Sequence, residues 1–98
     1  MIWVTFWELS PSVEPRKVAE VAAKLTQKGL WPPKSVKILG WYICPGGKGV
    51  TVSESEGADG EAAFRSWVAW EREMPGLFAS YQPFPAISAE QAVKIALE

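Results

Sequence analysis

Histidine and asparagine are absent from this 98-residue chain, cysteine occurs once, and Asp59 is the only aspartate. Without histidine the protein lacks the side chain that most often moves protons near neutral pH and most often ligates metals. Without asparagine as well, it lacks two of the three members of many nucleophilic triads. The lone Cys44 has no second thiol with which to close an internal disulfide. An excess of one charge is lacking too. Ten basic and 11 acidic residues leave a formal net charge of -1, so the chain carries no footprint of the kind a nucleic-acid backbone or an anionic membrane surface requires. No apolar run approaches the roughly 20 residues of a spanning helix, and the Met1 end has no basic region ahead of an apolar one. Neither nucleic acid nor membrane is expected as a partner, no metal or cofactor is expected, and the cytoplasm is the expected compartment.

What is present is enough apolar material for one domain over residues 1–98, long enough to bury roughly 65% of the surface of its unfolded chain. The opening stretch "IWVTFWEL" (Ile2–Leu9) is the most informative. Its alternation predicts a strand, but with large apolar side chains on both faces: Ile2, Val4 and Phe6 on one, Trp3 and Trp7 on the other. Val18, Val21, Ala22 and Leu25 recur at helical spacing, with Pro15 tolerable in the first turn and Gly29 placed to stop the helix. Beyond Trp31-Pro32-Pro33, residues 36–44 and 49–55 read as a hairpin about the turn Pro45-Gly46-Gly47. Asp59 is the expected N-cap of a second helix carrying Ala63, Phe64, Trp67, Val68 and Trp70, stopped by Pro75-Gly76. Residues 78–84 read as a fourth strand, which Pro83 and Pro85 consign to a border. Ser88 and Gln91 form a capping box before a last helix with a stripe of Ala89, Ala92, Val93 and Ala96.

The order β-α-β-β-α-β predicts an α+β fold, a ferredoxin-like sandwich plus a C-terminal helix, with both crossover helices on one face of a sheet ordered 4-1-3-2. Matching Ile2, Val4 and Phe6 with Val50 and Val52 assigns the aliphatic face to the helices. The expected bare face then holds Trp3, Thr5, Trp7, Leu39, Trp41 and Tyr81. A patch of that size in water invites aggregation, so these residues are the expected interface of a two-fold homodimer.

The stretches "GLWPPKSVKILGWYICPGGKGVTVSESEG" and "FRSWVAWEREMPGLFASYQPFPAISAEQAVKI" resemble a family of small proteins labelled only as a domain of unknown function. Its most specific elements here are Pro32-Pro33, Leu39-Gly40 with the aromatics that follow, the Gly49-to-Glu54 strand, and Trp67-x-x-Trp70 with the aromatic strand and capped tail helix. That family looks like the dimeric α+β barrel type, an architecture shared with antibiotic-biosynthesis monooxygenases, muconolactone isomerases and the ligand-sensing domains of some transcription regulators. The resemblance implies a fold and a dimer and brings no established activity.

Chemistry-bearing residues are few. Glu8 and Glu54 end the runs Ile2-Val4-Phe6-Glu8 and Val50-Val52-Glu54, and if the first and third strands run parallel the two carboxylates meet at one sheet edge, a pairing that splits pKa values or holds a hard cation. Phe64, Trp67 and Trp70 on the second helix are candidates to wall a pocket against the sheet, with Tyr42 and Arg65 as the remaining polar candidates. Gly46-Gly47-Lys48-Gly49 joins two strands and opens no helix, so it reads as a turn and not as a phosphate loop. An RNA-recognition reading fails on the third strand, which offers Thr51, Ser53 and Ser55 where stacking aromatics are needed. The expected function is a small homodimeric protein that binds a small hydrophobic ligand or a protein partner without catalysis. Its rival is a cofactor-independent oxygenase or isomerase acting on an aromatic substrate between helix and sheet.

Overall fold

In the computed structural model, which describes residues 1–57 and 59–98, four strands and three helices follow in the order β1 (Ile2–Leu9), α1 (Pro15–Gln27), β2 (Val36–Cys44), β3 (Lys48–Ser55), α2 (Glu61–Glu73), β4 (Phe78–Ala86) and α3 (Ala89–Ala96). The strands form one sheet ordered β2-β3-β1-β4, which is 4-1-3-2 from the other edge, and every neighbouring pair is antiparallel. The fold is therefore α+β with a four-stranded antiparallel sheet. β4 is an edge strand, where Pro83 and Pro85 sit opposite Thr5 and Trp3 and their missing N–H groups cost no second ladder.

Local chemistry accounts for the element ends. The β2–β3 turn needs left-handed backbone at two successive positions, Gly46 (φ 97°) and Gly47 (φ 85°), which glycine adopts without steric cost. α1 carries Pro15 in its first turn and is followed by Gly29 at φ 67°. Asp59 does not stand at the N-cap of α2, which is Gly60. Its Oδ1 nevertheless accepts from the Glu61 N–H at 3.1 Å and satisfies one free donor of the first turn. α3 opens with the reciprocal capping box of Ser88 and Gln91.

Two expectations are corrected. Because β1 and β3 run antiparallel, Glu8 lies opposite Lys48 while Glu54 lies opposite Ile2, so the two carboxylates are at opposite ends of the sheet. The faces of the sheet are also exchanged. α1 and α2 cover the face of Trp3, Thr5, Trp7, Trp41 and Thr51: the Trp70 ring of α2 lies 5.9 Å from that of Trp41, and Trp31, just beyond α1, is 4.8 Å from Trp41. Trp3, Thr5 and Thr51 are buried there. The bare face is the aliphatic one, where Phe6 and Phe84 remain 51% and 50% exposed and pack edge to face at 6.1 Å. Trp3, Thr5, Trp7, Trp41 and Tyr81 thus line the cavity under the helices, where a bare face was expected of them, and Leu39 sits at the irregularity between Ile38 and Gly40 of β2.

The reason is one of volume and hydrogen bonding. α1 and α2 turn small residues, Ala19, Ala22, Ala62, Ala63 and Ser66, toward the sheet, which leaves depth beneath them for indole-sized side chains. The tightest part of the interior lies at one end, where Leu25, Trp31, Trp70 and Leu77 form the buried cluster with Val18, Val21, Ile38 and Phe78 around it. A 2.7 Å ion pair between Lys24 of α1 and Glu73 of α2 ties the two helices together, and that hydrogen bond holds the Glu73 carboxyl below its usual pKa. No helix among the described residues is long and apolar enough to cross a membrane. None of the residues of α3 is buried.

Candidate ligand cavity

Between the sheet and the two helices lies a cavity of about 870 Å3. Its floor is Trp3, Thr5 and Trp7 of β1 with Thr51 and Ser53 of β3, and its roof is the small-residue side of α1 and α2. Trp31, Trp41, Trp70, Phe78 and Tyr81 add aromatic surface to a wall that also holds aliphatic residues such as Leu9, Val18, Ile38 and Leu77. The lining also includes Pro11, Cys44, Pro45 and Gly46, all exposed, so the chamber opens between the β1–α1 connection and the β2–β3 turn.

The polar atoms of this wall follow a simple rule. A buried indole must place its N–H against an acceptor or forfeit its hydration. Trp3 Nε1 donates to Ser55 Oγ at 3.1 Å, Trp7 Nε1 to Thr51 Oγ1 at 2.9 Å, and Trp31 Nε1 to Ser66 Oγ at 2.6 Å. Ser55 passes its own proton to Gly57 O at 3.0 Å. The hydroxyls that make this face less apolar than an ordinary core are thus the acceptors that allow tryptophan to be buried. Among the described residues no sealed side-chain nitrogen or oxygen lacks a partner. Burial pushes the Tyr81 phenol pKa up, against a smaller opposing effect of a hydrogen bond with Ser66, so at neutral pH the phenol keeps its proton.

Of the pocket candidates singled out from sequence, Trp70 lies in the lining, and Glu8 and Tyr42 border it from strand positions that alternate to the bare face. Glu54 instead borders a shallow depression of about 260 Å3 shared with Lys34 and Lys37 at the far end of the sheet. Arg65 is drawn along the surface of α2 to Glu61, with Nη2–Oε1 at 2.7 Å. Phe64 and Trp67 pack on each other at 5.5 Å, outside both the cavity and the buried cluster. The structure adds Trp31, Ser66, Leu77 and Phe78, which sequence reasoning missed. A signal for Trp31 was present: a tryptophan immediately before two prolines has little freedom to leave whatever it is packed against. Among the described residues no cluster of three or more His, Cys, Asp and Glu stands close enough to hold a metal ion. No family model, curated protein or solved structure matches the chain.

Proposed function

We propose that this protein binds a small apolar ligand without catalysis, in the cavity between sheet and helices, and does so as a homodimer. The observation that carries the reading is the cavity. Its volume of about 870 Å3 falls in the roughly 300–1,000 Å3 range of ligand pockets, whereas an interior of this size with no ligand to hold is normally close-packed. Glu8 and Tyr42 alternate to the bare face, so among the described residues the ionisable groups left on the wall are Cys44 and Tyr81, with no base placed beside an acid, which favours binding over the oxygenase or isomerase alternative. The neutral fluorophore N-phenyl-1-naphthylamine tests it. Saturable binding of one molecule per chain is expected, abolished by Ala22→Phe, which fills the chamber from the roof, with no fall in the unfolding midpoint. Absence of saturable binding, or binding indifferent to Ala22→Phe, overturns the reading.

The bare sheet face supports the dimer. Its two central rows are Gly40, Val52, Val4, Phe84 and Tyr42, Val50, Phe6, Gln82, an exposed apolar patch of a kind that stays soluble when covered. The rows at either end each hold one lysine and one glutamate, Lys37 with Glu54 and Lys48 with Glu8. A two-fold axis lying across the strands superposes one end row on the other and brings Glu54 of one protomer over the partner's Lys48, twice per dimer. The resemblance to the dimeric α+β barrel type, which rests on its residues, agrees with such sheet-to-sheet packing. Lys48→Glu is expected to weaken self-association in sedimentation equilibrium, and Lys48→Glu with Glu54→Lys to restore it. A wild-type chain that sediments as a monomer at micromolar concentration removes the dimer.

A further inference from the structure

The hydroxyls on the cavity wall do not balance against the indoles. Three hydroxyls, those of Ser55, Thr51 and Ser66, answer the N–H groups of Trp3, Trp7 and Trp31. Thr5 is left over. It lies on β1 midway between Trp3 and Trp7, opposite Thr51 on one side and Pro83 on the other, and it is buried, with only 6% of its surface exposed. Each other buried hydroxyl of this face, Thr51 and Ser55, takes part in a side-chain hydrogen bond. That of Thr5 has no partner among the described residues, yet it is not sealed in, and the space it lines is the cavity.

We propose that Thr5 is the specificity-determining contact of this cavity, and that the ligand is an uncharged planar aromatic molecule carrying an oxygen that hydrogen-bonds the Thr5 hydroxyl. The inference rests on the cavity being a ligand site. The aromatic surface sets the shape: Trp3 and Trp7 form the floor to either side of Thr5, with Phe78 packed edge to face on Trp7 at 6.1 Å and Trp70 beyond it at 6.4 Å from Phe78, so flat aromatic faces border the hydroxyl and suit a planar ring system. The charge follows from what lines the chamber. Among the described residues no lysine or arginine is in the wall, and Glu8, at the end of β1, alternates with Phe6 to the bare face of the sheet. An anionic ligand would enter with no counter-charge and would lose its hydration. A wholly apolar ligand would enter but would leave the Thr5 hydroxyl without a partner, which costs more than replacing both partners by apolar groups.

Three bicyclic probes of nearly equal shape separate these terms by calorimetry or equilibrium dialysis on the full chain at pH 7: 2-naphthol, naphthalene and 2-naphthoate. 2-Naphthol is expected to bind about fivefold to tenfold more tightly than naphthalene, the return of one neutral hydrogen bond, and 2-naphthoate about a hundredfold more weakly than 2-naphthol. Thr5→Val is expected to erase the preference for 2-naphthol, weakening 2-naphthol and tightening naphthalene, which no longer leaves a hydroxyl without a partner. Thr5→Ser, which keeps the hydroxyl, and Ser53→Ala, which removes the neighbouring one, should both retain the preference. If none of the probes binds, the cavity is not a ligand site and the broader reading falls with it. If the probes bind but naphthalene equals 2-naphthol, 2-naphthoate binds as well as either, or Ser53→Ala abolishes the preference, the cavity stands as a site and the role of Thr5 is overturned.

Discussion

The indole of Trp7 lies flat over Gly49, its partner across the β1–β3 ladder, and reaches past it to donate to Thr51 on the same strand. A Cβ built on Gly49 would clash with the Trp7 ring, so the absence of a side chain on β3 is what lets a tryptophan on β1 floor the cavity. Aromatic cover of a strand glycine also returns some of the packing that glycine forgoes.

Gly49→Ala should therefore act through Trp7. The ring must leave its place, its hydrogen bond to Thr51 is lost, and overpacking of this kind costs about 1–3 kcal/mol. Gly60→Ala is the control, because nothing lies within 4 Å of a Cβ there and φ is -81°. Urea unfolding of the two variants checks the difference, and equal midpoints would contradict the contact.

Ser55 is 4% exposed and accepts from Trp3. Ser55→Ala leaves a buried indole N–H without an acceptor and is expected to lower stability by about 1–3 kcal/mol. Trp3→Phe in the Ser55→Ala background should then cost less than it does in wild type, since the orphaned donor is removed along with the ring. A double-mutant cycle measures that coupling, and strict additivity would show that the two side chains act independently.

Tyr81 makes stability depend on alkaline pH. Its phenol pKa is raised in the folded protein by burial, so from about pH 10, the unperturbed value, the folded state holds this proton more firmly than the unfolded chain does. The contribution is fully present below that pH and is lost as pH rises through the folded-state pKa. Wild type should lose more stability between pH 9 and pH 11 than Tyr81→Phe does, measured by urea midpoints at each pH. Parallel curves would remove the phenol as the cause.

Trp70 and Trp67 share a helix and were both candidate pocket residues, yet the structure separates them. Trp70 is buried at 6% exposure in the core cluster, and Trp70→Ala should cost about 3–5 kcal/mol. Trp67 is half-buried, against Phe64. Trp67→Ala should cost clearly less and leave probe binding in the cavity unchanged. Comparable losses for the two would place Trp67 in the core.

Much of the secondary structure was legible from local signals, because each rests on residues within a few positions of one another. The alternation of β1, the Gly46-Gly47 turn, the stripe ending at Leu25, and the Ser88–Gln91 box all lie where local pattern put them. Pro83 and Pro85 identified the edge strand because a missing N–H is a property of the residue itself. The cavity was less legible, since its parts come from six elements and connections that local pattern does not join. Glu8 and Glu54 looked paired only on the assumption of parallel strands.

Alternation by itself determined that β1 is apolar on both sides, and it left undetermined which side the helices cover. Ile2, Val4 and Phe6 read as the better core by hydrophobicity, and an apolar scale gives no reason to prefer Trp3 and Trp7. The tertiary structure decided the matter by complementarity: helices with alanine and serine on their undersides leave a deep space, tryptophans fill its rim, and Ser55, Thr51 and Ser66 accept their N–H groups. Burial of an indole depends on partners distant in sequence, 52 residues for Trp3 and 44 for Trp7. Only the folded chain brings those partners within reach, which is why the same residues that looked like an outer surface form the floor of an internal chamber.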